Sequence, residues 1–279
     1  MKKRIKIGFS PCPNDTYIFD AMVNGRIDTG EFEFEPVLAD VEQLNMWAAN
    51  GELDVTKLSF NALGQLADQY SLLKAGSALG RGCGPLLISN SPLAKNEVNR
   101  ESLVLIPGVK TTANFLLTFA MPQLKNKKSV VFDEIEKGLL EGAADLGLII
   151  HENRFTYLEK GLHKVIDLGD YWEKETGCPI PLGGIAAKKS MSETDRVRVS
   201  QIIRESVNYA NAQPEISHDY RKSHAVEMDE EIMRKHIKLY VNSFSIDLGQ
   251  EGEKAIELFM KKGKELGFFK AESNLEIVG

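Results

Sequence analysis

The chain has 279 residues, 43% hydrophobic and 27% charged, with 34 Lys+Arg against 40 Asp+Glu and a formal net charge of −6. That composition supports a sizeable core, or two domains of about 100–150 residues, and excludes global disorder. The apolar runs are short (Leu103–Ile106, Leu146–Ile150) where a membrane span needs about 20 residues. The acidic balance speaks against nucleic acid as the main partner, while a local basic pocket for a small anion stays open.

The first expected element is a strand over residues 4–9. It follows Met1-Lys2-Lys3-Arg4, and the alternation Ile5-Lys6-Ile7 breaks at Pro11. No apolar stretch of the roughly 7–15 residues of a secretory signal intervenes, so a cytoplasmic protein is expected. A helix over Asn14–Asn24 closes at Gly25. Glu31–Val37 alternates with period two and reads as a half-buried strand. Asp40–Asn50 reads as a helix with Asp40 as N-cap and Gly51 as stop. A strand over Leu53–Leu58, a helix over Phe60–Gln69 and a short strand over Leu72–Ala75 follow. A second series has strands at Leu103–Ile106, Val130–Phe132 and Leu146–Ile150, with helices at Thr112–Met121 and Asp133–Glu141. The last third is mainly helical: Glu193–Ala212, Asp229–Tyr240 and Glu251–Glu265. Alternating strands and helices imply parallel sheets.

The two series share a pattern. Each has a strand, a Pro-containing loop and a helix start, and later Gly-x-x-Asp before a strand (Gly51–Asp54, Gly142–Asp145). Two Gly/Pro-rich stretches, Gly80–Ile88 and Gly177–Ile185, read as crossings between two lobes. The expected division is residues 1–87 plus 185–279 for a discontinuous lobe and 88–184 for a continuous one. Two such crossings form a hinge, with a ligand cleft between the lobes.

Several residues could carry chemistry. Asn14, Asp15 and Thr16 open a helix after the first strand, where free N–H groups favour an anion; a well-capped turn explains them equally. Thr111, Thr112 and Ala113 repeat the design, again with capping as the plain alternative. Lys57 and Ser59 share a strand face, and Lys57 is either a carboxylate partner or a strand-end lysine in solvent. His151 follows a buried strand and titrates in the range of a general base, although a boundary histidine is the common case. Arg154 is an anion contact or a surface ion pair. Arg81 faces a cleft or forms a structural ion pair. Cys12 is a weak nucleophile candidate. His163 sits in an expected polar loop, and His218, His224 and His236 in a charged helical third, so solvent exposure is expected for all four. Cys12, Cys83 and Cys178 are odd in number and scattered, which fits neither a disulfide framework nor a zinc ligand set. No phosphate-binding glycine loop, zinc-protease helix or serine-hydrolase elbow is present, so no metal site or nucleotide is expected.

Four blocks carry a resemblance. In order they are Ser10-Pro11-Cys12-Pro13-Asn14-Asp15-Thr16-Tyr17-Ile18-Phe19, Lys57-Leu58-Ser59, Thr111-Thr112-Ala113, and Gly147-Leu148-Ile149-Ile150-His151-Glu152. Together they resemble the 1,4-dihydroxy-6-naphthoate synthase family of the futalosine route to menaquinone, over nearly the whole chain. The opening decapeptide is the most specific block. The resemblance implies an α/β fold of the type II periplasmic-binding-protein kind, two-lobed, each lobe a mainly parallel sheet flanked by helices, with the cleft at the hinge. It implies a lyase that needs no cofactor and converts cyclic dehypoxanthine futalosine to 1,4-dihydroxy-6-naphthoate. His151 matches the family's proton acceptor, and Lys57, Leu58 and Ser59 with Thr112 and Ala113 match its substrate-contacting segments. The expected partner is thus a small-molecule carboxylate, with neither nucleic acid nor membrane; the oligomeric state is open, a homodimer included. Two other readings share the fold: a solute-binding protein without chemistry, and a chorismate dehydratase-like lyase of the same pathway. A regulatory effector-binding domain is a distant third.

Overall fold

The computed structural model describes residues 2–224 and 229–279. The chain divides into two compact units, one made of the chain up to Gly80 and from Pro181 onward, the other of Arg81–Ile180. These boundaries lie inside the two Gly/Pro-rich stretches but ahead of the expected positions 87/88 and 184/185. The first shift has a simple cause: Leu86–Ser89 is already hydrogen-bonded into the second sheet.

The first unit begins with β1 (Lys3–Phe9), α1 (Pro13–Val23), β2 (Phe32–Leu38), α2 (Val41–Ala49), β3 (Val55–Ser59), α3 (Phe60–Gln65), β4 (Tyr70–Leu73) and β5 (Ala78–Gly80). β1 puts Ile5, Ile7 and Phe9 into the core on alternate positions. α1 has a proline at its first position, where the missing N–H costs nothing, and is buried from Pro13 to Met22. Asp40 caps α2, its side chain accepting from the N–H groups of Glu42 and Gln43 at 2.9 and 3.1 Å. Gly51 stops that segment at φ +71°.

The second unit contains β6 (Leu86–Ser89), β7 (Val104–Ile106), α4 (Thr112–Ala120), β8 (Lys127–Ser129), α5 (Glu134–Leu140), β9 (Leu146–Ile149), α6 (Asn153–Thr156), β10 (His163–Asp167) and α7 (Leu168–Thr176). Its strand order is β10-β6-β9-β7-β8. The third strand is Lys127–Ser129 and not the more apolar Val130–Phe132. Val104 pairs with Lys127 and Ile106 with Ser129, and an exposed edge strand tolerates, even prefers, lysines. β10 contains His163, which is half-buried on a strand and not in a loop. A register irregularity between Lys164 and Ile166 at that other edge spoils the period-two signal.

The chain returns as β11 (Ile180–Lys188) and ends in α8 (Glu193–Ala212), α9 (His218–His224), α10 (Glu230–Tyr240), α11 (Ser243–Ile246), α12 (Gly249–Glu265) and β12 (Ile277–Val278). The first sheet runs β12-β4-β11-β3-β1-β2, with β5 beside β11. Pairs joined by helical crossovers are parallel: β1 with β2 and with β3, and β7 with β8 and with β9. β6 follows β5 with no helix between them and β11 follows α7, and both run antiparallel to their neighbours. Both sheets are therefore mixed.

α1 packs between β2 and the helices α8, α9 and α10. Ile18 and Phe19 of α1 meet Val199, Ile202 and Ile203 of α8 in one core cluster. The second unit has its own cluster, in which Ile135 and Leu139 of α5 pack on Leu105 and Ile149. His236 is a correction: it is fully buried, on the α10 stripe with Met233 and Tyr240. Among the described residues no helix is long and apolar enough to cross a membrane.

One contact in the second unit admits only glycine. A Cβ on Gly84 would lie 2.3 Å from the backbone N and Cα of Gly169, just where Leu168 N–H donates to Pro85 C=O at 3.0 Å. Gly84→Ala is expected to cost about 1–3 kcal/mol through forced separation of the two segments. A urea midpoint equal to wild type would show that the segments are free to part.

Candidate active site

In α/β sheets functional groups gather beyond the C-terminal ends of parallel strands. β1 and β3 are parallel neighbours, so the 10–16 loop and Ser59 lie at the same end of the first sheet. β7 and β9 are parallel neighbours in the second, which brings the 107–114 loop and His151 to one end of that sheet.

In the first unit the loop is organised by Asp15. Its Oδ2 accepts from Ser10 N–H at 3.1 Å and Ser10 Oγ at 2.7 Å; its Oδ1 accepts from Asn14 Nδ2 at 2.8 Å and Lys57 Nζ at 2.9 Å. Asp15 is 1% exposed and Lys57 6%. The carboxylate sits in the first turn of α1, where the helix dipole favours negative charge. The structure thus removes the solvent-exposed reading of Lys57: its charge answers Asp15. Gly183 of β11 makes room, since a Cβ there would lie 3.1 Å from Lys57 Cε. Thr16 Oγ1 donates to Cys12 C=O at 3.0 Å, a structural bond within the turn. Leu58 points to the opposite face and is fully buried.

Ser59 caps α3 by accepting from Ala62 N–H at 3.1 Å. Asn45 of α2 bonds it twice: Nδ2 donates to Ser59 Oγ at 3.2 Å, and Oδ1 accepts from Ser59 N–H at 3.1 Å. Asn45 is fully buried. Its only sequence signal is a polar residue beside Leu44 and Ala48 on the apolar stripe.

In the second unit Thr111 is the cap of α4. It accepts from Asn114 N–H at 3.2 Å and donates to Gly108 C=O at 2.8 Å. Thr112 and Ala113 fill the first turn, both buried. Asn114 donates to Val109 C=O at 2.9 Å and accepts from Lys127 Nζ at 2.8 Å. Lys127 also donates to Thr118 Oγ1 at 2.7 Å. With neutral acceptors and little water, burial pulls the Lys127 ammonium down to about 8, helped by Lys125.

His151 lies past the end of β9, in a turn, and is half-buried. Its φ is +59°, and among the described residues it is the one non-glycine with positive φ. A histidine in that region costs about 1–2 kcal/mol, a strain that clusters at functional positions. The ring of Phe132 stands edge-on to its imidazole, centroids 5.1 Å apart.

Arg154 is no surface pair. It bonds Asp167 at 2.6 Å and Gly84 C=O at 2.5 Å, both within the second unit. Arg81, half exposed, pairs with Glu173 at 3.7 Å and donates to Gly177 C=O at 3.2 Å. The three cysteines form no disulfide. Burial pushes the Cys83 thiol up to about 12, which keeps it protonated. Cys12 precedes α1 as its N-cap residue and is buried. His218 pairs with Glu230 at 3.0 Å and Asp219 at 3.2 Å, which raises its pKa.

A family model described as "Menaquinone biosynthesis" matches residues 5–265. A Thermus thermophilus protein named 1,4-dihydroxy-6-naphtoate synthase is 45% identical over 263 residues, 94% of this chain and 95% of that one. A Streptomyces coelicolor protein of the same name is 40% identical over 272 residues, 96% of this chain and 95% of its own. A crystal structure from Archaeoglobus fulgidus is similar at a TM-score of 0.89 and 30% identity, covering 95% of this chain and 98% of that one. The periplasmic aliphatic sulphonate binding protein of Escherichia coli gives a TM-score of 0.69 at 11% identity, covering 98% and 96%. At that identity it shows the fold alone, which is periplasmic-binding-protein-like.

Two predictions follow from the geometry. His151→Gly relieves the left-handed strain at a backbone-entropy cost of about 0.5–1 kcal/mol, so thermal stability should stay level or rise. His151→Val keeps a Cβ in the left-handed region and should be less stable than His151→Gly by about 1–2 kcal/mol, and equal melting temperatures for the two variants would contradict the strain. Lys127 is held below its ordinary 10.5, at about 8, so between those values the unfolded chain binds more protons and stability rises with pH. The stability of wild type relative to Lys127→Met, from denaturant titrations, should therefore improve from about pH 8 to pH 10; a flat difference would contradict it.

Proposed function

The chain belongs to the menaquinone-biosynthesis family, and from that premise we propose that it is the enzyme that turns cyclic dehypoxanthine futalosine into 1,4-dihydroxy-6-naphthoate, as a lyase with His151 as proton acceptor. One observation carries the assignment to His151. It is the single described non-glycine residue held at positive φ, next to an apolar ring and beyond a buried strand. A backbone strained in this way persists only where its surroundings over-determine it, and presentation of a catalytic side chain is a common reason.

In the proposed reaction the neutral imidazole takes an acidic proton from the substrate. The electron pair left behind forms a new carbon–carbon double bond as the bond to the sugar-derived fragment breaks; the fragment leaves with that bond's electron pair and takes a proton from the imidazolium. Aromatisation of the product supplies driving force, so the protein has mainly to hold the substrate and accept the proton. A single general base is worth roughly 10²–10⁴ in rate. The substrate carboxylate suits the first turn of α4, where Thr112 and Ala113 offer backbone N–H groups behind the Thr111 cap. Ser59, oriented by Asn45, suits a substrate hydroxyl or carbonyl oxygen. The Lys57–Asp15 pair serves by holding Ser10, Asn14 and the start of α1 in place.

Incubation with cyclic dehypoxanthine futalosine, read by mass spectrometry, tests the reading. Wild type should release 1,4-dihydroxy-6-naphthoate, and His151→Ala should lose about 10²–10⁴ in kcat while still binding substrate. Full turnover by His151→Ala would remove the base, and unchanged substrate with wild type would remove the reaction.

A further inference from the structure

The strained His151 turn must be held by something, and the structure offers a buried group that the reaction itself does not use. Glu136 lies in the first turn of α5 and is 3% exposed. A carboxylate so buried needs partners. Its Oε2 accepts from Asn153 Nδ2 at 2.6 Å and from Lys160 Nζ at 2.6 Å. Its Oε1 is buried and has no hydrogen-bond partner among the described residues. Asn153 is the first residue of α6, two positions after His151, and is itself 8% exposed. Lys160 lies beyond the other end of α6. One carboxylate oxygen therefore ties down both ends of the segment that leaves the His151 turn.

The anchor is rigid. Ile135 and Leu139, on either side of Glu136 in α5, pack on β9 so closely that a Cβ at Gly147 would come within 2.8 Å of both. The same stretch of chain reaches the imidazole directly, because Phe132 lies four residues before Glu136 and meets the His151 ring edge-on at 5.1 Å. Residues 132–136 thus touch the ring at one end and the turn at the other.

We infer that Glu136, acting through Asn153 and Lys160, is a positioning residue for His151, holding the 151–153 turn in the left-handed conformation that presents the imidazole. This rests on the reading of His151 as the proton acceptor. Phe132 limits the ring's rotation. None of the three groups need touch the substrate; their effect is on where the base stands when the proton moves. A misplacement of about 1 Å costs up to about 10²-fold in rate.

The test compares Glu136→Ala, Asn153→Ala and the more exposed Lys160→Met with His151→Ala, using cyclic dehypoxanthine futalosine. Glu136→Ala and Asn153→Ala should lower kcat by about 10- to 100-fold and leave KM within about threefold. Glu136→Gln keeps an acceptor for Asn153 and should recover most of that loss. Lys160→Met gives a smaller fall in the same direction and keeps the test alive should a buried variant not fold. In a His151→Ala background the Asn153→Ala change should add nothing to the residual rate, since there is no base left to position. Normal kcat for Glu136→Ala and Asn153→Ala beside an inactive His151→Ala would overturn the positioning role alone. A further equal loss in the His151→Ala background would show a general structural role and overturn it too. A fully active His151→Ala would overturn the base, and this inference with it.

Discussion

A carboxylate taken out of water must find compensating charge and hydrogen bonds, and the polar end of each sheet is built around that need. In the first unit Asp15 gathers Ser10, Asn14 and Lys57. The pair ties α1 to β3, two elements that are not consecutive in the chain, and fixes the loop between β1 and α1. In the second unit Glu136 gathers Asn153 and Lys160 and ties α5 to the segment beyond β9. Removing Lys57 would leave Asp15 a buried unpaired charge, at a cost of about 3–5 kcal/mol, whereas Lys160 is 44% exposed and its loss costs less. The charges therefore do more for geometry than for net stability, since an apolar replacement of the whole pair is often no less stable.

The two helix starts solve the same problem in opposite ways. α1 carries its own anion: Asp15 occupies the first turn, where the dipole favours negative charge. α4 has no acid in its first turn and is capped by the neutral Thr111. Two loops that look alike as sequence thus differ in the charge placed at the helix start. Two lysines, Lys57 buried and Lys127 half-buried, differ in a similar way. Lys57 has the Asp15 carboxylate at 2.9 Å, while Lys127 has only Asn114 and Thr118, and burial draws it toward neutrality.

Much of this is legible in the sequence, for physical reasons that can be named. α8 spans Glu193–Ala212 as its cap and periodicity indicate, because Ser192 accepts from Asp195 N–H. α2 and its Asp40 cap were equally plain. Local chemistry of that kind is written in adjacent residues. Pairing partners are not: β8 is polar and takes its place from β7, so Val130–Phe132 was the more attractive strand by propensity. At the site, His151 was visible from its place after an apolar run, but its left-handed backbone was not, since nothing in Ile150-His151-Glu152 signals a turn. Asn45, Glu136 and Asn153 were missed because their partners lie 14 and 17 positions away. His236 was misjudged for a related reason: its helix is charged overall, and its burial depends on which stripe faces inward.

The burial of α1 on every side has a consequence for how such a chain can drift. An ordinary surface helix has a face on which substitutions are nearly neutral, and mutations accumulate there. From Pro13 to Met22 this helix has none: its apolar residues belong to the core, and Asn14, Asp15, Thr16 and Asp20 are buried as well. Each replacement meets either close packing or an unanswered polar group. Mutational information is therefore stored at a higher density in Pro13–Met22 than in any stretch of equal length on α10 and α12, which keep an exposed face. A signature that seems to advertise chemistry is in large part a record of a helix with no outside.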